Sequence, residues 1–406
     1  MADERELPGS VMTRFGVKNY KCLREIDIPL TPIHVIIGQN DAGKTSLLEA
    51  IFAFFRTSTN HLLHAFPGKW TGTELVFEHA KMPVIELRGT FKISSSGNES
   101  NSDYEYGLKV AFSTEQPRWN AEWCTSIKDG KRIDFKQQHP LFTQVNRAVT
   151  GLMVEEDLWL NQMQTSLQPA HLYQLDPKMM AMPATIDPGR KFRLDPDGFG
   201  LASLLDDLLG YAPERFIELR RRFCEYFPQF RSVRLETQEA VQRHYSDGGK
   251  YSTGTASGKG IFFETRSGSS IRAQQASDGA ILFLGFLAIT SLPLPPKLIL
   301  IEEPEKGVYP KRLEELVRLL RTIITETPQS SRPQIIMSTH SPYLVSFFEP
   351  EEVTLMSREP GNGVVAHPLR DAPNIRERMD GEFYLGELWY NLTEEELFGG
   401  EQLRSA

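Results

Sequence analysis

GQNDAGKTS, Gly38–Ser46, decides how this chain is read. It fits G-x-x-x-x-G-K-[ST], with Gly38, Gly43, Lys44 and Thr45 in the fixed positions. HVIIG, His34–Gly38, reads as a short buried strand, and SLLEAIFAFF, Ser46–Phe55, carries the apolar periodicity of a helix. A strand, a glycine-rich turn and a helix start make backbone N–H groups converge, because the first turn of a helix has donors without intrahelical partners. Such a turn cradles phosphate oxygens. Gly38, Asn40, Gly43, Lys44, Thr45 and Ser46 are therefore the candidate nucleotide-binding residues. Lys44 supplies a mobile cation to the terminal phosphates, and the Thr45 hydroxyl supplies a magnesium ligand. The expected ligands are ATP and Mg2+.

Two stretches far downstream complete the chemistry. LILIEEPEKGVYP, Leu298–Pro310, is four apolar residues ending in two carboxylates. Leu298–Ile301 reads as a central parallel strand, stopped by Pro304 before a core helix could form. Carboxylates at the C-terminal end of such a strand sit where open α/β sheets bind ligands. Glu302 is placed to hold magnesium or its water shell, and Glu303 to orient or deprotonate an attacking water. A solvated acidic loop is the bland alternative, but two adjacent acids repel unless a cation lies near them. PQIIMSTHSPYL, Pro333–Leu344, reads as a strand, Gln334–Ser338, followed by His340. Taken alone, His340 is a capped surface residue. After a P-loop and an acidic strand end it becomes the polar switch for the terminal phosphate and the water. Lys44, Glu303 and His340 are thus the catalytic candidates.

The arrangement resembles the ABC-type ATPase heads of the group that includes RecF and the SMC proteins, most closely the OLD-like "AAA family" ATPases of bacterial anti-phage defence operons. The resemblance implies an α/β P-loop NTPase fold, and a nucleotide sandwiched between two heads. It also implies a signature at a helix start, which RAQQASDGAILFLGFLAITSLP supplies: Ser277, Asp278 and Gly279, with a helix Ala280–Thr290 behind. Ser277 and Gly279 would meet the phosphate held by the opposing subunit's P-loop. Ser-Asp-Gly alone is equally an ordinary helix cap. By the same resemblance, GVKNYKCLREIDIPL, Gly16–Leu30, is an opening β-hairpin in which Lys21 and Arg24 are candidate nucleotide contacts. EKGVYP, Glu305–Pro310, matches the D-loop region, with Tyr309 where histidine is commoner. GELWY, Gly386–Tyr390, matches a C-terminal tail, and Gln116, Gln137 and Gln144 are all open as the Gln-loop residue.

Length and composition fit one ATPase head carrying an insertion. The chain has 406 residues, 40% of them hydrophobic, and a formal charge of -8. That is material for a core, not for a disordered protein. We expect an N-terminal lobe with P-loop and antiparallel β-subdomain over 1–145, a helical insertion over 146–235, and a C-terminal lobe over 236–406. PVIELRGTFKI and YEYGLKVAFS, around SSSGNESNSD, read as a hairpin. NRAVTGLMVEEDLWLNQMQ, Asn146–Gln164, reads as helical, and Gly200–Pro228 as two helices. No heptad run is sustained, so coiled-coil arms are replaced by a small helical lobe. YSDGGKYSTGTASGKG, Tyr245–Gly260, resembles a disordered loop. AILFLGFLAI is too short to span a bilayer, MADERELPG lacks signal-peptide character, and Cys22, Cys124 and Cys224 show no paired spacing. The expectation is a cytoplasmic protein with free thiols and no membrane.

Arg215, Arg220, Arg221, Arg222, Arg231 and Arg234 form the one dense basic cluster. A solvated helix face, DNA backbone and an acidic protein partner are all open readings of it. Heads without long arms resemble ATP-dimerising sensors of anti-phage defence that act with a separate effector nuclease or toxin, and the chain after His340 is too short for the Toprim nuclease of OLD proteins. A RecF-like DNA-binding repair ATPase is the alternative, and a nucleotide-binding scaffold with negligible turnover a third. A homodimer or larger homo-oligomer is expected.

Overall fold

The computed structural model describes residues 10–57, 62–68, 73–93, 102–112, 117–127, 130, 132–135, 166–167, 170–187, 189, 191–245, 251–327, 332–359, 363–380 and 383–398. The chain begins with β1 (Ser10–Tyr20), β2 (Leu23–Pro29) and β3 (Ile33–Ile37), then helices α1 (Lys44–Arg56) and α2 (Leu62–Ala65). Four strands follow: β4 (Val84–Ile93), β5 (Ser102–Ala111), β6 (Arg118–Ser126) and β7 (Arg132–Phe135). The middle holds β8 (Ala170–Tyr173), α3 (Pro177–Met180), β9 (Ala184–Thr185), α4 (Leu201–Tyr211), α5 (Pro213–Tyr226), β10 (Phe230–Tyr245), β11 (Tyr251–Thr265) and β12 (Ser270–Arg272). Next come α6 (Asp278–Thr290), β13 (Leu298–Glu302), α7 (Leu313–Glu326), β14 (Gln334–Thr339) and α8 (Pro342–Val345). The chain ends with β15 (Val353–Glu359), β16 (Gly363–Pro368), α9 (Ile375–Asp380), α10 (Leu385–Asn391) and α11 (Glu394–Phe398).

The chain forms two compact units. The first is Met1–Leu172 with Pro296–Leu300 and Val317–Ala406, and the second is Tyr173–Pro295 with Ile301–Leu316. In the first, an antiparallel sheet has the order β2-β1-β4-β5-β6-β7. A second sheet has the order β16-β15-β3-β14-β13-β8, with β3 parallel to both β14 and β15. All five residues of β3 are buried, as a strand covered on both faces requires. Helix α1 packs against β1 and β4 of one sheet and β14 of the other. Phe54 anchors it, with its ring 5.7 Å from Phe15, 6.3 Å from Phe91 and 5.5 Å from Tyr106. Truncating so buried a ring removes about 3–5 kcal/mol.

Two buried polar side chains tie this core together. The register of β1 against β4 shifts between Met12 and Arg14. There the Gln334 amide accepts from Met12 N at 3.1 Å and donates to Met12 O at 2.8 Å and Thr31 O at 3.0 Å. The amide satisfies both backbone groups of Met12 next to the irregularity. His34 is fully buried on β3, with Thr31 Oγ1 3.1 Å from Nδ1 and Thr354 Oγ1 2.9 Å from Nε2. Burial first, and then the positive Arg370, push its pKa down to about 3.

The second unit is built on the long β10–β11 hairpin, paired from Phe230↔Thr265 to Tyr245↔Tyr251. This corrects the reading of Tyr245–Gly260 as a disordered loop, since Tyr251–Gly260 lies within β11. Its small residues give no alternating pattern, yet backbone pairing with β10 needs only N–H and C=O groups, and Thr and Tyr suit it. Arg243 on β10 has a side chain only 5% exposed and donates to Asp195 at 3.2 Å and to Asp197 at 3.0 and 2.8 Å. Its guanidinium lies 4.0 Å from the Phe199 ring centroid and 4.3 Å from that of Tyr251. The two expected helices between Gly200 and Pro228 are α4 and α5. The described part of 146–235 contains β8, β9 and the start of β10 as well as those helices. The helix expected over Asn146–Gln164 and the three Gln-loop candidates lie outside the described residues.

Candidate functional site: the P-loop and its flanking strand ends

The P-loop has the backbone its sequence demands. Gly38 ends β3 with φ 149°, and a Cβ there would lie 2.2 Å from the Met356 carbonyl oxygen of β15. Gly43 caps α1 with φ 86°, and a Cβ there would press on Cys22, Leu23 and Val364. Asp41 between them has φ 63°, a left-handed conformation that Asp tolerates better than most residues. Two close approaches and three left-handed residues bend the chain back over the start of α1. Lys44 is buried along the turn, and its Nζ donates to Gly38 O at 2.8 Å and Gln39 O at 2.7 Å. Asn40 and Thr45 are exposed and Ser46 is half-buried. A glycine cradle, a lysine ammonium laid across it and the start of a 13-residue helix together fit a polyphosphate.

The opening hairpin reaches this turn, but not through the expected side chains. Cys22 and Leu23 are what Gly43 packs against, and Cys22 Sγ lies 3.5 Å from Ser46 Oγ. Lys21 is ion-paired with Glu49 of α1. Arg24 is exposed on β2. Sequence reading missed Cys22 and the Met356 carbonyl, because a packing contact and a backbone oxygen leave no motif.

His340 follows β14, the strand that pairs with β3 from Ile335↔Ile33 to Thr339↔Ile37. It is exposed. Behind it Ser341 caps α8, accepting from Leu344 N at 3.4 Å, while its own N–H donates to Thr339 Oγ1 at 3.0 Å. The Gly386 tail meets this short helix so closely that a Cβ would fall 1.8 Å from Pro342 O. Glu302 is the last residue of β13, which lies between β14 and β8. Glu303 directly after it has φ 49°. A left-handed glutamate stores strain of about 1–3 kcal/mol, the kind retained where side-chain direction matters.

In the second unit, Ser277 is an exposed N-cap of α6, accepting from Ala280 N at 3.4 Å. Behind it Ala280–Ile289 is buried all round, so the helix start carries the polar groups of an otherwise apolar rod. Gly307 of the EKGVYP stretch has φ 87° and packs on Asp278, 3.0 Å from Cβ to Cβ were a side chain present. Gly279 is 3.7 Å from Gly307 O on the same measure. The Ser277–Gly279 helix start and the Glu305–Pro310 stretch are therefore neighbours within one unit. Much of the arginine cluster is engaged locally: Arg215 donates to Ser291 O and Leu292 O, Arg221 pairs with Glu218 and Glu225, and Arg222 with Glu218. Arg231 and Arg234 face Glu264 and Glu236 at 3.8 and 3.7 Å.

Among the described residues no helix is long and apolar enough to cross a membrane. Residues 33–346 match the family described as "AAA domain, putative AbiEii toxin, Type IV TA system". An OLD nuclease from Thermus scotoductus is 23% identical over 419 residues, covering 97% of this chain and 71% of that protein. The solved SMC head bound to the C-winged helix domain of ScpA superposes with a TM-score of 0.51 at 16% identity, covering 91% of this chain and 99% of that one. Such a likeness speaks for the fold, a mixed α/β head with a β-sheet subdomain and helical insertions. The chain belongs to that AAA domain family and is a P-loop ATPase with the fold of an SMC head.

Proposed function

We propose that this protein binds and hydrolyses ATP between two copies of its head, and that the closed pair regulates a separate effector nuclease or toxin in an anti-phage defence system. The observation that carries the nucleotide reading is the P-loop turn, with Gly38 and Gly43 in conformations only glycine adopts without strain and Lys44 bonded across it. Mg-ATP, when bound, supplies the anhydride bond to be cleaved and the divalent charge that Thr45 and Glu302 would hold. The P-loop amides and Lys44 fix the phosphates, Glu303 orients and deprotonates water, and His340 steadies the developing charge. Ser277 and Gly279 of one copy would complete the site of the other, and the exposure of Ser277 at the start of α6 supports this role. The family's toxin–antitoxin description supports the effector. The arginine cluster, largely engaged by its own acids and carbonyls, gives no comparable support to a DNA-repair role.

The test is ATP turnover and native mass for the wild type and Glu303→Gln. Turnover should fall about 100-fold in the variant, while ATP-dependent pairs accumulate. Wild-type turnover in Glu303→Gln removes that residue from the chemistry, and a monomer at saturating ATP removes the two-head site.

A further inference from the structure

Helix α10 (Leu385–Asn391) is seated through a glycine against α8 (Pro342–Val345), the short helix that follows His340. We propose that Gly386 is a positioning residue for ATP hydrolysis: its missing side chain lets α10 bear directly on α8 and so sets where His340 stands. The inference rests on the reading of His340 as a hydrolytic residue and adds to it what holds the histidine in place.

His340 lies between two differently held neighbours. Thr339 before it is fully buried and pairs with Ile37 at the end of the β14–β3 ladder. After it the chain turns into α8, four residues long. Ser341 N donates to Thr339 Oγ1 at 3.0 Å, and Pro342 O accepts from Ser346 N at 3.1 Å and from Ser346 Oγ at 3.0 Å. These bonds shape the turn, but a single helical turn does not hold itself in water and needs packing. Leu344 and Val345 are buried and supply part of it. Helix α10 supplies more. At Gly386, itself buried, an added Cβ would lie 1.8 Å from Pro342 O, 2.7 Å from Pro342 C and 2.6 Å from Ser346 Oγ. Two of those atoms are backbone, and all lie far inside the roughly 3.5 Å of ordinary van der Waals contact. A methyl group here must drive the two helices apart.

Of the two, α10 is the better anchored. Leu385 and Leu388 are buried, and the chain runs on into α11. There the Phe398 ring lies 5.1 Å from that of His367 on β16, and Glu396 O accepts from Arg378 of α9 at 3.1 Å. The displacement therefore falls on α8 and on the histidine before it. Misplacing a catalytic group by about 1 Å can cost about 100-fold in rate. The phosphate turn is buffered, because Gln39 and Leu355 face Trp389, Tyr390 and Thr393 across a cavity of about 440 Å³. A shift of α10 or α8 thus separates turnover from ATP binding.

Steady-state turnover and ATP affinity of the intact chain, for Gly386→Ala in the wild-type and His340→Ala backgrounds, test this. Gly386→Ala should lower kcat about tenfold with KM and ATP affinity within about twofold, and should cost nothing further once His340 is alanine. Ser346→Ala, which removes one bond to Pro342 O without adding volume, should lower kcat about threefold and be equally silent in the His340→Ala background. Unchanged kcat in a folded Gly386→Ala, or the same fall in both backgrounds, overturns the inference and leaves the ATPase reading standing. Weakened ATP binding also overturns it, since Gly386 would then be shaping the phosphate turn. Should Gly386→Ala fail to fold, Ser346→Ala decides, and an unchanged kcat there overturns the inference. Wild-type turnover in His340→Ala overturns the switch reading and the inference together.

Discussion

Ile37 and Thr339 are register partners on adjacent parallel strands, so the residues that follow them, Gly38 and His340, leave the sheet at the same edge. The phosphate turn and the histidine are thereby neighbours by strand pairing, whatever loops lie between them in sequence. A group placed by the sheet needs no reorganisation at the moment of reaction. His340→Ala should therefore keep ATP affinity within about twofold and lower kcat about 100-fold, a loss typical of a removed acid–base or charge-stabilising group. Weakened binding with unchanged kcat would make His340 a ground-state contact instead.

Glu303 follows β13 with φ 49°, where glycine would sit without strain. Glu303→Gly should raise the urea midpoint, by stabilisation of about 0.5–1 kcal/mol, and abolish ATP turnover. Opposite changes in stability and activity from one substitution are the mark of strain kept for function. A destabilised Glu303→Gly would mean that the glutamate side chain holds the turn together.

Much of this was legible in the sequence because the P-loop strand, its helix and the two acid- and histidine-tipped strands are local patterns. Leu298–Ile301 and Gln334–Ser338 read as buried strands because each holds a short apolar run, the first ended by Pro304 before a core helix could form, as strands of a covered parallel sheet do. Partners that meet only through tertiary packing were not legible. Cys22 against Gly43, Met356 O against Gly38 and Gly307 against Asp278 each join residues far apart in sequence through atoms with no motif of their own. The Tyr251–Gly260 strand was missed for another reason: its Ser, Thr and Gly residues announce flexibility, while the long ladder with β10 supplies the order. The arginine run left three readings open because a helix sequence does not show which of its acids, here Glu218 and Glu225, turn to its cations.

His34 makes stability depend on pH. Its folded pKa is pushed down to about 3 by burial first and by Arg370 second, whereas an unfolded histidine titrates near ~6.5. Below about pH 6.5 the unfolded chain binds a proton that the folded chain refuses, so this stabilisation is complete above that pH and is lost as pH falls toward about 3. The slope contributed is about 1.4 kcal/mol per pH unit. His34→Gln retains hydrogen-bonding groups for Thr31 and Thr354 without titrating. Urea unfolding at pH 6.5 and pH 5 should show the wild type losing about 2 kcal/mol more than this variant. Parallel losses would mean that His34 accepts its proton in the folded state.

Arg243 presents the sharpest contrast between a buried and an exposed arginine in the second unit. Its side chain is 5% exposed, forked onto Asp195 and Asp197 and stacked between Phe199 and Tyr251, so the hairpin tip and the 195–199 turn share one cation. Removing it leaves Asp197 without the guanidinium fork, and Asp195 with Arg193 at 3.7 Å as its counter-charge. Arg243→Met should destabilise the protein by about 3–5 kcal/mol, and Arg243→Lys should recover part of this, since an ammonium supplies the charge but not the planar fork. Arg221, although it carries as many carboxylate contacts through Glu218 and Glu225, is solvated, and Arg221→Met should leave the thermal midpoint unchanged. Equal shifts for the two variants would show that burial adds nothing to the contacts of Arg243 beyond those of its solvated counterpart.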